Sequence, residues 1–328
     1  RARVASGTCT QKRPRHPATG ISRPPTTGPS AVPSAEMVPS SLGFKLEKNV
    51  VMQRIAQLEQ GGVRLVLNCN VGADIGFDAI RSRHDAVLIA TGVYKPRDID
   101  VPGADAAGIV SALDYLTASS RKTFGDRLPE YDSGEMDASG KRVVVIGGGD
   151  TAMDCVRTAI RQGATSVKCL YRRDRANMPG SQRETQNAEE EGVEFVWLSG
   201  PVGFVGDGAV TGVTTERMRL AAPDATGRQS VEPIEGSAYL EPADLVIKAL
   251  GFEPEDLPRL WGAEGLEVTR WGTIRADFRN HATSLPGVFA VGDIVRGASL
   301  VVWAIRDGRE AAQSILGRLN RPEQLAAE

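Results

Sequence analysis

The stretch Arg142-Val-Val-Val-Ile-Gly-Gly-Gly-Asp-Thr-Ala-Met-Asp154 constrains the fold more than any other part of the chain. Val143 to Ile146 are apolar and β-branched without alternation, the pattern of a strand buried on both faces of a parallel sheet. The chain must then turn sharply. In the GxGxxA pattern, Gly147 and Gly149 permit positive φ and a close backbone approach to a pyrophosphate, and small Ala152 lets a helix pack tightly on the strand. Met153, Val156, Ala159 and Ile160 fall at helical spacing, and Gly163 stands where a C-terminal cap belongs. Such a turn offers free N–H groups and the positive end of a helix dipole to a phosphate, although similar turns also occur with no ligand.

The next strand supplies the context. Val167 to Tyr171 ends in Arg172 and Arg173, at the point where an NAD-preferring version of the fold carries an acid for the ribose hydroxyls. Arginines there suit the 2′-phosphate of NADP. The alternative is a solvated basic strand end, and Asp174 next door is an objection because it would repel phosphate.

The chain has 328 residues, 41% hydrophobic and 24% charged, enough for two domains of a globular protein. A net charge of −2 gives no reason to expect nucleic acid or a membrane surface as partner. Cys9, Cys69, Cys155 and Cys169 are scattered without a CxxC pair, so no iron–sulfur centre, zinc knuckle or dithiol motif is expected, and reduced cytoplasmic thiols are. No apolar run is long enough to span a bilayer.

Residues 1–42 hold seven of the 19 prolines and one acidic residue, Glu36, and read as a disordered tail. Order is expected from Gly43: a helix over Val50–Leu58, a strand over Val63–Leu67, and a buried strand over Ala86–Ala90 that ends in Ala90-Thr91-Gly92. Tyr94–Pro102 reads as a crossing linker, Ile109–Leu116 as a helical turn or two, and Gly125–Gly140 as a loop. Asn177–Glu184 is a loop before a charged surface helix to Glu191, and Phe195–Leu198 is a strand. Val210–Leu220 and Ser237–Leu240 pair as a β-ribbon; Leu245–Leu250 returns as a buried strand, so that Ala249-Leu250-Gly251 echoes Ala90-Thr91-Gly92. Two related domains would produce that echo.

Gly287-Val-Phe-Ala-Val-Gly-Asp293 is a strand ending in Gly-Asp, followed by a helix from about Leu300 through Val301, Trp303, Ala304, Ile305, Ala311 and Ile315. Asp293 can accept hydrogen bonds from sugar-like hydroxyls, and a helix N-terminus stabilises developing negative charge, both of which suit a flavin. A turn aspartate and a core-packing helix would look the same.

Taken together, Gly43-Phe-Lys-Leu-Glu-Lys48, Ala90-Thr-Gly92, Val144 to Cys155, Tyr171-Arg-Arg173, Asn177-Met-Pro-Gly-Ser181, Ala249-Leu-Gly-Phe252, Gly292-Asp293 and Ser299 to Ala304 resemble the NADPH-dependent glutamate synthase small (beta) subunits and their relatives among the two-dinucleotide-binding-domain flavoproteins. The resemblance runs from Gly43 to about Asn320. It implies an α/β fold of two Rossmann-like dinucleotide-binding domains, with an NADPH domain (106–279) inserted in an incomplete FAD domain (43–105 and 280–328). NADPH would lie over Gly147, Gly148, Gly149, Asp150, Thr151 and Ala152, with its 2′-phosphate on Arg172 and Arg173 and its nicotinamide end near Ala249 and Gly251. FAD would meet Gly292, Asp293, Ser299, Leu300 and Val301, with Lys45, Thr91 and Gly92 as further contacts. Hydride then passes from nicotinamide to flavin, so the protein supplies position and electrostatics, and no catalytic side chain and no metal ligand is expected.

The resemblance also implies a partner, the glutamate synthase large (alpha) subunit, which forms glutamate from glutamine and 2-oxoglutarate. Two features of the family are missing before Gly43: the cysteine-rich segment that ligates its iron–sulfur clusters, and the first glycine fingerprint for the FAD pyrophosphate. The expectation is of an N-terminally truncated or mis-joined chain with impaired FAD binding. Its alternative role is that of a catalytically incomplete fragment, at most an NADP(H)-binding module.

Overall fold

The structure is a computed structural model that describes residues 46–224 and 229–320. The tail expected over 1–42 and the FAD contact expected at Lys45 lie outside the described residues.

In chain order the first elements are α1 (Lys48–Gln60), α2 (Phe77–Arg83), β1 (Val87–Ile89), β2 (Lys95–Pro96), β3 (Ile109–Ser111), α3 (Ala112–Thr123) and α4 (Pro129–Asp132). The glycine-turn region contributes β4 (Arg142–Ile146), α5 (Asp150–Arg161), β5 (Ser166–Tyr171), α6 (Gln182–Glu190) and β6 (Glu194–Trp197). A ribbon follows, of β7 (Ser199–Val205), β8 (Gly212–Pro223), β9 (Gln229–Pro233) and β10 (Tyr239–Pro242), before the chain returns as β11 (Leu245–Lys248). The last elements are β12 (Phe252–Glu253), α7 (Leu257–Trp261), β13 (Val288–Ala290), α8 (Asp293–Arg296) and α9 (Val301–Leu319).

These elements divide into two compact units, an inserted one over Pro96–Gly251 and an outer one made of Lys48–Lys95 with the chain from Phe252 onward. The breaks fall nearer to the strand ends at 90 and 250 than the expected 105 and 279. The reason is that β2 and β12 pair with each other, so the chain leaves and re-enters along one short two-stranded ribbon.

The inserted unit is built on a five-stranded parallel sheet of order β3-β11-β4-β5-β6. Its unbroken valine run is explained by two separate cores. Val143 and Val145 face one way, with Val167, Cys169, Leu245 and Ile247, under Tyr115 and Leu116 of α3 and Met153 and Val156 of α5. Val144 and Ile146 face the other way, with Leu170 and Val246, under Phe204, Val210 and Val213 around the ribbon. A side chain so buried is worth about 1.5–3 kcal/mol, and each of these valines serves one of the two layers. The ribbon is antiparallel, β8 pairing with β7, β9 and β10.

Two expectations within this sequence need correction. Ile109–Leu116 is no simple helical turn: Ile109–Ser111 is the edge strand β3, and Ser111 then caps α3 by accepting from the Asp114 N–H at 3.2 Å. Val63–Leu67 forms no strand, and no segment among the described residues pairs with it.

The outer unit packs Phe77, Ile80, Val87, Ile89, Leu257, Ile274, Val288 and Ile294 into one core, with the Phe77 and Trp261 rings stacked at 5.1 Å. Its parallel pair, β1 with β13 in register Val87↔Val288, is a two-stranded sheet among the described residues.

Candidate functional sites in each unit

In the inserted unit, β4 runs into the glycine turn at the centre of the sheet. Gly147 has φ 147°, and a Cβ there would lie 2.2 Å from the Ala249 carbonyl oxygen, so only glycine admits the close pass of β4 against the end of β11. That approach sets Ala249 beside the turn, where its N–H donates to the Ile146 carbonyl at 2.8 Å. Gly148 is required for a different reason: a Cβ there would sit 2.4 Å from the Tyr171 ring. Gly149 corrects the expectation of positive φ. It is the N-cap of α5 at φ −91°, in extended conformation, with open space where a Cβ would be. The N-cap of α5 makes no side-chain hydrogen bond; the Ala152 N–H donates to the Gly149 carbonyl at 2.9 Å, and the Asp150 and Thr151 amides ahead of it are the ones an anion can meet, with the helix dipole adding to their pull. This open cradle fits a pyrophosphate.

Arg172 and Arg173 follow at the end of β5, Arg172 exposed and Arg173 partly buried with its Nε lacking a hydrogen-bond partner. Neither forms an ion pair with a described carboxylate, whereas Arg175 in the same loop is held bidentately by Glu189 at 2.7 and 2.9 Å. Burial raises the Tyr171 phenol above its ordinary range, and the positive charges of Arg173 and Arg172 pull it back. Both guanidiniums therefore act on the ring that covers Gly148. Asp174 is no obstacle, since its Oδ1 accepts from Asn177 N–H at 2.9 Å and Asn177 Nδ2 at 2.8 Å. Asp150 is likewise engaged, accepting from the Ser181 N–H at 2.9 Å, so it ties the 177–181 loop to the start of α5.

The outer unit gathers a second set of expected residues. Beyond β1 the chain reaches Thr91, whose Oγ1 is buried without a hydrogen-bond partner, and Gly92 at φ 72°. A Cβ on Gly92 would lie 2.9 Å from the Tyr94 ring. Burial, and then the charge of Asp293, raise the Tyr94 phenol, which puts Asp293 close to the same strand end. Asp293 Oδ1 accepts from the Ser299 hydroxyl at 2.7 Å, so these two expected residues are one hydrogen-bonded unit. Gly292 caps α8 at φ 74°, and Leu300 and Val301 open α9 with 56% and 71% of their surface exposed. The orphaned Thr91 hydroxyl, the Asp293–Ser299 pair and the exposed apolar first turn of α9 fit a ligand with both polar and flat apolar parts, such as a flavin.

Sequence reasoning missed Asp307. It is 2% exposed inside α9, bound bidentately by Arg296 at 2.6 Å for both contacts, and its Oδ2 accepts from Gly292 N–H at 3.4 Å. The signal was present: Asp307 lies on the stripe shared by Ala304 and Ala311, where a charge demands a buried partner. It missed Tyr171 and Asn177 as well, because their link, Tyr171 Oη to the Asn177 carbonyl at 3.0 Å, depends on loop geometry.

Cys155 and Cys169 are buried thiols of the inserted core, and burial pushes Cys169 up to about 12. No group of three or more metal-binding side chains occurs among the described residues, and no described helix is long and apolar enough to cross a membrane.

The pyridine nucleotide-disulphide oxidoreductase family model matches residues 18–308. A provisionally named glutamate synthase [NADPH] small chain of Cereibacter sphaeroides is 74% identical over 286 residues, covering 87% of this chain and 68% of that one. The glutamate synthase [NADPH] small chain of Azospirillum brasilense is 60% identical, covering 87% of this chain and 60% of that one. The chain thus spans roughly two thirds or less of these relatives' length. Among solved structures, Mycobacterium tuberculosis FprA in complex with NADPH superposes with TM-score 0.67 at 20% identity, covering 85% of this chain and 73% of that one, a likeness of fold.

Proposed function

The chain belongs to the pyridine nucleotide-disulphide oxidoreductase family, and from that premise we propose that it is an NADPH-oxidising electron-input chain of the glutamate synthase small-subunit type. The observation that carries this reading is the open glycine cradle over α5 with two arginines at the next strand end that no described carboxylate neutralises. Gly147 to Ala152 hold the pyrophosphate, Arg172 and Arg173 the 2′-phosphate, and Ala249 to Gly251 the nicotinamide end. In the outer unit Thr91, Gly92, Gly292, Asp293, Ser299, Leu300 and Val301 hold FAD, with Lys45 as a further contact. Bound NADPH and FAD together supply the hydride chemistry, and the side chains bind, orient and exclude water. NADPH belongs to the inserted unit, expected over 106–279, and FAD to the outer one, expected over 43–105 and 280–328. Electrons pass on to a glutamate synthase large (alpha) subunit, which makes glutamate from glutamine and 2-oxoglutarate, through iron–sulfur clusters that these 328 residues do not encode and a partner supplies.

A second reading, an NADP(H)-binding module without catalysis, is favoured by one feature: the outer sheet has two paired strands among the described residues, while the inserted sheet has five. Flavin absorbance of the purified chain separates the two. Bleaching of the flavin band on anaerobic addition of NADPH is the expected result. A colourless protein that still binds NADPH would leave only the module.

A further inference from the structure

The loop from Tyr171 to Ser181 is anchored along its length, while neither Arg172 nor Arg173 has an ion pair with a described carboxylate. At its base the Arg173 carbonyl accepts from Leu198 N–H at 3.0 Å. In the middle, Arg175 is fixed on Glu189 of α6. At its far end Gly180 N–H donates to the Gly148 carbonyl at 2.9 Å, and Ser181 N–H to Asp150. Asn177 is gripped from both sides. Its N–H and Nδ2 donate to Asp174 Oδ1, and its carbonyl accepts from the Tyr171 hydroxyl. A weaker contact at 3.5 Å joins Asn177 Nδ2 to Gln229 of the ribbon. A carboxylate directly after two arginines would ordinarily pair with them; this one is spent on Asn177.

We propose that Asp174 is a positioning residue for NADPH selectivity: by closing the Tyr171–Asn177 turn it fixes the backbone that carries Arg172 and Arg173 and leaves both without a described carboxylate partner, so that they can serve a phosphate. The inference rests on assigning the 2′-phosphate to those arginines. Its physical basis is preorganisation, because a loop ordered before the ligand arrives spares the cost of ordering two long side chains on binding. The acid next to an anion site has a structural task of its own, since its Oδ1 accepts from two N–H donors of Asn177.

Equilibrium titration of the whole chain with NADPH and, separately, NADH tests it, with folding checked by circular dichroism. Asp174→Ala removes two hydrogen bonds, so NADPH affinity is expected to fall about tenfold or more while NADH changes little. Asp174→Asn keeps an Oδ1 that accepts both bonds and drops the negative charge, so NADPH affinity is expected to return to at least the wild-type level. Asn177→Ala, which removes one donor, should repeat the selective loss at smaller size and carries the test if Asp174→Ala does not fold. Tighter NADPH binding in both Asp174 variants would mean that Asp174 is merely an opposing charge, and an equal loss for both cofactors would mean general loop damage; either overturns the proposal. The arginine assignment is checked in parallel: Arg172→Glu with Arg173→Glu should weaken NADPH about 100-fold and NADH little. If that pair weakens both cofactors alike, the phosphate assignment itself fails. If it is selective and Asp174→Ala is not, only the positioning role fails.

Discussion

Both units run a β-branched parallel strand into a left-handed glycine, yet they enclose themselves differently. In the inserted unit β11 leads to Gly251 at φ 88°, and in the outer unit β1 leads to Gly92 at φ 72°. Around β11 and β4 the sheet is five strands wide, with one core under helices and another under the ribbon. Around β1 the paired sheet is two strands wide among the described residues, α1 buries none of its residues, and α9 buries only Asp307 and Ala311. Leu300, Val301, Val302 and Ile305 of α9 are more than half exposed. Local sequence rules build the same strand and turn in both places. Whether the element is a stable part of a core depends on how many neighbours cover it.

The sharpest way to break this comparison is to truncate one side chain in each unit. Ile247→Ala, at a fully buried position of β11, is expected to cost about 3–4 kcal/mol, whereas Val301→Ala on α9 should stay within about 0.5 kcal/mol. Urea unfolding of the two variants measures both; comparable losses would show that α9 is covered as fully as the sheet. Asp307→Ala comes next. It strands Arg296, whose side chain is 28% exposed, so about 2–3 kcal/mol is expected in place of the full cost of breaking a buried pair. The loss should register at Trp303, whose ring lies 5.3 Å from the Arg296 guanidinium, while NADPH binding by the inserted unit persists. A parallel loss of NADPH binding would tie the two units' stabilities together.

The smallest effect concerns acid. Glu191, held first by Arg161 and then by Arg157, has its pKa lowered from the ordinary 4.5 to about 2. Folding favours its ionised form, so its contribution is whole above the ordinary value and is lost as pH falls from 4.5 toward about 2. Because the pair is partly solvated, about 1 kcal/mol is expected. Urea midpoints at pH 5 and pH 3 for the parent and for Glu191→Gln check this: the variant should show the shallower pH dependence, and an unchanged slope would remove the network from the inserted unit's stability.

What the sequence determined by itself was local and periodic. The valine run, the glycine turn and the 3.6-residue spacing of Met153, Val156 and Ala159 are repeated short-range choices, and they placed β4, α5, β5 and β11 within a residue or two. Ser299, named through the family resemblance, donates its hydroxyl hydrogen to Asp293 in the structure. The tertiary structure decided what depends on distant partners. It gave Val63–Leu67 no partner among the described residues, and a strand exists only with a neighbour to bond. It set Gly149 in extended conformation and gave Gly148 its reason in Tyr171, because the crowding there comes from another strand. It turned Asp174 from an objection into an anchor and buried Asp307 against Arg296, because a charged side chain's meaning is fixed by the groups that satisfy it.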